Sequence, residues 1–142
     1  MSTALALYTP ALETARLSGN RLLEGDCLRS IAFASVGLRR DRAAEDCRAA
    51  LLALYEMRFW YRIWQLFESI ALEFALTGHV ESAGVVLGNL EAKHKAFGFE
   101  NTLGFRQRAL EIIRPHAESE TWMARGAAMD RHQIVEYALA SL

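Results

Sequence analysis

Residues 60–97 read Trp60-Tyr-Arg-Ile-Trp64-Gln-Leu-Phe67-Glu-Ser-Ile70-Ala-Leu-Glu-Phe74-Ala-Leu76, then Thr77-Gly78-His79, then Val80-Glu-Ser-Ala83-Gly-Val-Val-Leu87-Gly-Asn-Leu90-Glu-Ala-Lys-His94-Lys-Ala-Phe97. In the first run Trp60, Trp64, Phe67, Ala71 and Phe74 fall on one helical stripe, and Ile63, Leu66 and Ile70 on the next. An apolar arc that wide belongs to a helix packed on two sides. The second run puts Val80, Ala83, Leu87, Leu90, His94 and Phe97 on one face, with Gly84 and Gly88 four residues apart on another. Two such glycines let a neighbouring helix approach closely, while Glu81 and Glu91 on the same helix exclude a membrane span. Thr77-Gly78-His79 supplies the turn between the two helices.

Working outward, the same grammar holds along the chain. Helices are expected over 4–18, closed by Gly19-Asn20, over 22–38, with Arg39-Arg40-Asp41 as the turn, and over 42–57. Beyond Gly98 a sixth runs from about Asn101 to His116, carrying Leu103, Leu110 and Ile113 and interrupted near Pro115. A short seventh covers 121–125. Asp130 followed by Gln133 is a capping-box arrangement that opens the last helix. Thr9-Pro10 leaves two readings of the first helix: an N-cap followed by the first helical position, or a kink in a helix begun at Thr3. Ala and Leu number 43 against 11 Val and Ile, and no period-two alternation is sustained, so no sheet is expected.

Composition sets further bounds. The 142 residues make one domain's length of chain, long enough to bury a continuous core without a metal or disulfide staple. Sixteen Lys and Arg against 17 Asp and Glu leave no bulk positive field, so direct nucleic-acid binding is not expected. Arg39, Arg40 and Arg42 form too short a cluster to change that, with Asp41, Glu45 and Asp46 beside them. Cys27 and Cys47 have no CxxC spacing, and no signal peptide or membrane segment is legible, which points to a reducing cytoplasm. His79, His94, His116 and His132 lack the i, i+4 pairing of a helical metal site. With no GxSxG and no GxxxxGK[ST], neither a metal, a cofactor nor a catalytic residue is expected, and the chain reads as a non-enzyme.

Slid along itself until Ile31 falls on Ile70, the chain aligns Ile31-Ala32-Phe33 with Ile70-Ala71-Leu72 and Ala44 with Ala83, and one step further it sets Phe59 on Phe99. Each unit is a helix, a polar turn and a second helix, and one such hairpin cannot bury its own apolar face. The fold expected over 1–142 is therefore a single all-α domain of TPR-like antiparallel hairpins, seven or eight helices stacked as a short right-handed solenoid.

The run Ser69–Ala92 with Phe97-Gly98 resembles the penultimate hairpin in the C-terminal helical region of large bacterial ATP-dependent regulators. These carry a STAND-type NTPase flanked by a LuxR-type, SARP-type or nucleotide-cyclase-like output domain. The tail, with Trp122, Gly126 and a capped Asp130, is similar to the way those arrays finish, and Tyr8–Asn20 resembles the second helix of a preceding repeat. That resemblance implies a fragment of a longer transcriptional regulator, with the ATPase upstream and the regulator's other domains or a partner protein as its contacts. A free-standing adaptor and a small-molecule sensor are the alternatives. Aromatic crowding at residues 59–64 is heavier than the family pattern.

The candidate groove consists of Arg58, Trp60, Arg62, Trp64 and Phe67. Its aromatic stripe is read either as core between hairpins or as a floor on which a ligand or partner helix stacks, with Arg58 and Arg62 placed to hold a carboxylate or phosphate. Glu56 and Glu68 are the local acids expected beside those arginines. In a fragment the first helix loses a neighbour, and Leu5, Leu12 and Ala15 form a bare face suited to a homodimer. In a gel shift at physiological salt the chain should leave DNA unretarded; a submicromolar affinity would overturn the charge argument.

Overall fold

The computed structural model describes residues 1–97 and 104–142. Among the described residues there are eight helices and no strand: α1 (Ser2–Ser18), α2 (Arg21–Gly37), α3 (Ala43–Glu56), α4 (Trp60–Leu76), α5 (Val80–Phe97), α6 (Phe105–Ile113), α7 (Ser119–Ala128) and α8 (Arg131–Ser141). They pack largely in sequential pairs and form two compact units, Met1–Leu66 with Leu142, and Phe67–Ser141. No described helix is long and apolar enough to cross a membrane. The expected helix end at Gly98, repeat match at Phe99, helix start at Asn101 and core position Leu103 lie outside the described residues. So do the side chains of His94 and Phe97.

The helices from α1 to α4 stop in the same way. A residue in the left-handed region follows each of them: Gly19 (φ 70°), Arg39 (φ 56°), Arg58 (φ 56°) and Gly78 (φ 84°). Its successor donates a backbone N–H five residues back, Asn20 to Ala15 (2.9 Å), Arg40 to Ser35 (3.0 Å), Phe59 to Leu54 (3.1 Å) and His79 to Phe74 (2.8 Å). These are Schellman closures, which satisfy carbonyls that a helix end leaves open. The four reversals are almost evenly spaced along the chain. The step from Gly19 to Arg58, and again from Arg39 to Gly78, spans two helices and equals the step from Ile31 to Ile70 at which the sequence aligns with itself.

Local chemistry accounts for the boundaries. Asn20 serves two helices: with Gly19 it closes α1, as the sequence suggests, and its side chain also caps α2 by accepting from the Leu23 N–H at 3.1 Å. Pro10 lies inside α1, and Thr9 Oγ1 donates to the Leu5 carbonyl at 2.8 Å, so the reading of Thr9-Pro10 as interior to one helix holds. The capping box at α8 is complete: Asp130 Oδ1 accepts from the N–H groups of His132 (2.9 Å) and Gln133 (2.8 Å), and Gln133 Oε1 accepts from the Asp130 N–H at 2.9 Å. The sixth helix ends at Ile113, two residues before Pro115, which has no N–H with which to continue the ladder; Arg114 itself keeps right-handed helical angles. The seventh is longer than the sequence suggests: of Ser119–Ala128, Ser119 and Gly126 are the buried positions, so no periodic apolar face marks its ends.

In the first unit α2 packs against α1 and α3. Leu28, Ile31, Cys47, Leu51 and Leu54 fill the core, while Glu45, Arg48 and Glu56 stay exposed. The expected bare face of α1 is not bare: Leu12 and Ala15 are buried and Leu5 is half-buried, because α2 covers that side. Leu7 and Leu17, 66% and 85% exposed, are the leucines of α1 that face solvent. Ala43 rather than Ala44 takes the fully buried position at the start of α3.

In the second unit α5 is the hub, with α7 packed most extensively on it and α6 and α8 beside it. Backbone meets backbone at the α5–α7 crossing. A Cβ on Gly88 would lie 1.9 Å from the Met123 carbonyl oxygen, and one on Gly126 would lie 1.7 Å from that of Val85. Gly84 faces Trp122, whose Cβ is 2.8 Å from where a methyl would stand. Fully buried Asn89 donates through Nδ2 to the carbonyls of Gly126 (3.0 Å) and Met129 (3.2 Å), which ties the end of α7 to α5. Outside this contact Arg125 pairs with Glu81 at 2.9 Å.

Gly88→Ala and Gly126→Ala are each expected to cost about 3 kcal/mol, because a helix backbone has no rotamer with which to yield. Gly19→Ala, where no atom lies within 4 Å, should cost only about 1 kcal/mol from its left-handed φ. Arg39→Gly should gain about 1 kcal/mol for the same reason. Thermal unfolding followed by circular dichroism ranks the four; equal losses at Gly19 and Gly88 would contradict the close crossing.

Candidate functional site

The residues of the expected groove have separate fates. Trp64 is 5% exposed and Phe67 fully buried, so both serve the core of their units. Trp60 is half-buried, stacked on Trp64 with ring centroids 5.9 Å apart and meeting Tyr55 edge-on at 5.8 Å. Arg58 sits at the left-handed reversal, which turns its side chain back: Nη1 donates to the Tyr55 carbonyl at 2.9 Å, and Cζ lies 4.3 Å from the centre of the Tyr55 ring. Glu56 is engaged elsewhere, by Arg21, and Glu68 is buried.

Arg62 points to an acid that the sequence reading did not single out. Its Nε lies 2.9 Å from Asp26 Oδ1, and the same oxygen lies 3.8 Å from Arg29 Nε. All three atoms are buried and none makes a hydrogen bond of normal geometry: Arg29 Nε is too far from the oxygen, and Arg62 Nε approaches it out of line. One carboxylate on α2 thus serves two guanidinium groups, one from its own helix and one from the start of α4. Asp26 and Arg29 are three residues apart, a spacing that already makes them helix neighbours. The arrival of Arg62 depends on tertiary packing and has no local signal.

Electrostatics reflect the crowding. Burial, and then the positive charge of Arg62, lower the pKa of Arg29; Asp26 opposes the shift, as does Tyr8 on α1. Burial, and then the Asp26 carboxylate, push the Cys27 thiol up. Both cysteines are buried. At the Arg39–Arg42 turn Arg42 approaches Glu45 (3.8 Å) at the surface, while Arg40 approaches Asp46 (4.0 Å), whose carboxylate is largely buried and accepts from Ser35 Oγ.

A recess with a volume near 410 Å³ lies in the second unit between Glu91, Leu110, Arg114, Ser119, Glu120 and Met123. Its polar groups carry both signs of charge. Among the described residues no group of three or more His, Cys, Asp or Glu side chains could hold a metal ion. His79 rests against Phe74 and Thr77, and His116 against Trp122. Compared with protein-family models, curated proteins and solved structures, the chain matches none.

Asp26→Asn should lower stability by about 2 kcal/mol by leaving two half-buried cations facing each other, and about 1 M salt should recover part of that loss. Urea titration at two salt concentrations measures both effects. Because the Cys27 pKa is raised in the fold, the unfolded thiol ionises first as pH rises, and stability falls through that range. Melting temperature should therefore drop between about pH 8 and 10 more steeply in the parent than in Cys27→Ala. Equal slopes would remove the linkage.

Proposed function

We propose that this chain is a non-catalytic helical-repeat module for protein interaction or ligand sensing, and that it forms the C-terminal TPR-like region of a bacterial STAND-type transcriptional regulator of the LuxR, SARP or cyclase-like kind. The observation that carries the reading is the recurrence of one Schellman reversal at near-equal spacing, at Gly19, Arg39, Arg58 and Gly78. Hairpins of equal length are the units from which a right-handed TPR-like solenoid is built, each needing its neighbours to bury its apolar face.

Such a module acts by differential binding. A ligand or partner that prefers one arrangement of the hairpins shifts the equilibrium of whatever is attached to them, and equal affinity for both arrangements shifts nothing. The partners are the other domains of the same regulator, or a second copy of the chain. A small-molecule sensor is favoured by one observation in particular: the doubly shared Asp26 carboxylate near the aromatic residues at the start of α4.

An antibody raised to this segment and used on lysate of the source cells reads the mass of the native polypeptide. A band several times heavier than 15.9 kDa is expected. A band at that mass would overturn membership of a large regulator and leave a free-standing adaptor.

A further inference from the structure

We propose that Arg29 and Arg62 form a binding site for the carboxylate of a small organic acid whose apolar body rests on the aromatic side chains around residue 60. This deepens the ligand-sensing reading and rests on it.

Charge comes first. Two guanidinium groups converge on a single oxygen, Asp26 Oδ1, at 3.8 and 2.9 Å, so the cluster holds one positive charge in excess. Side-chain exposures of 25%, 30% and 31% for Arg29, Arg62 and Asp26 keep it out of bulk water while leaving a face open. Within a partly desolvated site, an uncompensated cation is costly and an added anion is strongly favoured. Burial and the neighbouring Arg62 already disfavour the charged form of Arg29, and the negative charge of an incoming anion offsets that cost.

The donors are arranged for that anion. Each Nε lies near Asp26 without a hydrogen bond of normal geometry to it, and Arg62 Nη1 donates to Gln65 Oε1 at 3.0 Å. Arg62 Nη2 and both Nη groups of Arg29 make no hydrogen bond to any described residue. Three donors from two planar groups suit an acceptor with two oxygens. Charge count decides between oxyanions: a carboxylate brings one negative charge and leaves the cluster neutral, whereas a phosphate dianion overshoots.

The rings around Arg62 supply the remainder. Its Cζ lies 5.6 Å from the centre of the Phe59 ring and 5.9 Å from that of Tyr61, whose side chain is half exposed. An aromatic or branched acid placed on the arginine pair meets those rings, so benzoate is a better probe than acetate.

The experiment titrates the full chain with benzoate, acetate and inorganic phosphate and follows the arginine Nε–Hε resonances by NMR. Benzoate is expected to shift Arg29 and Arg62 saturably, more tightly than acetate or phosphate. Arg29→Gln should weaken benzoate at least tenfold, the loss of a charge-assisted bidentate contact. Arg29→Lys, which keeps the charge and loses the fork, serves if Arg29→Gln fails to fold, and should weaken binding by about threefold or more. Asp26→Asn removes the internal competitor and should tighten benzoate about tenfold, a gain that a purely structural ion cluster does not give. Three results would each overturn the proposal: no saturable shift with benzoate, undiminished binding in the folded Arg29 variant, or phosphate bound more tightly than benzoate. Each would leave the polypeptide mass, and with it membership of a larger regulator, untouched.

Discussion

A helix with one apolar face has to be turned back onto a neighbour, and here the turn is made four times by one backbone device. A left-handed residue after α1, α2, α3 and α4 lets the following N–H reach five residues back and close the helix. Glycine occupies two of these positions at no steric cost; Arg39 and Arg58 occupy the other two at a cost of about 1 kcal/mol or more each. Strain of this size persists only where surrounding packing over-determines the backbone. It is met by fully buried residues just upstream, Ala34 and Val36 before Arg39 and Leu51 and Leu54 before Arg58. The near-constant spacing makes consecutive helices similar in length, which is the condition for hairpins to repeat.

In the second unit a different constraint dominates. Contact between the backbones of α5 and α7 leaves no room for a Cβ at Gly88 or Gly126. Close approach buries Gly126 near the end of α7, and buried Asn89 donates to its carbonyl and to that of Met129. The glycines and the asparagine are thus parts of one solution. A crossing that tight needs all of them at once.

The ionic cluster of the first unit is poorly explained as a stabilising feature. Partly buried ion pairs rarely repay the desolvation of their charges, and this one carries an unbalanced charge and out-of-line geometry as well. Positioned residues with unspent donors are better understood through what they can hold. Arg58, by contrast, is spent on its own turn, and Trp64 and Phe67 are spent on packing.

Much of the architecture is local and so was legible in the residues themselves. Periodicity marked the helices, Gly19 and Gly78 marked reversals, Asp130 and Gln133 marked a cap, and the Gly84–Gly88 pair marked a close crossing. The helices, reversals and cap are set by hydrogen bonds or sterics within a few positions of the chain; the glycine pair marked only that some helix comes close. Tertiary structure decided the rest: that α2 covers Leu12 and Ala15, that the glycines meet Trp122 and Met123, that Trp64 and Phe67 turn inward, and that Arg62 on α4 reaches Asp26 far back on α2. Those pairings join residues distant in sequence, and no local pattern encodes which face of one helix meets which face of another. The helices and most of their ends belonged to the sequence; the partners of their faces, and with them the arginine pair, belonged to the packing.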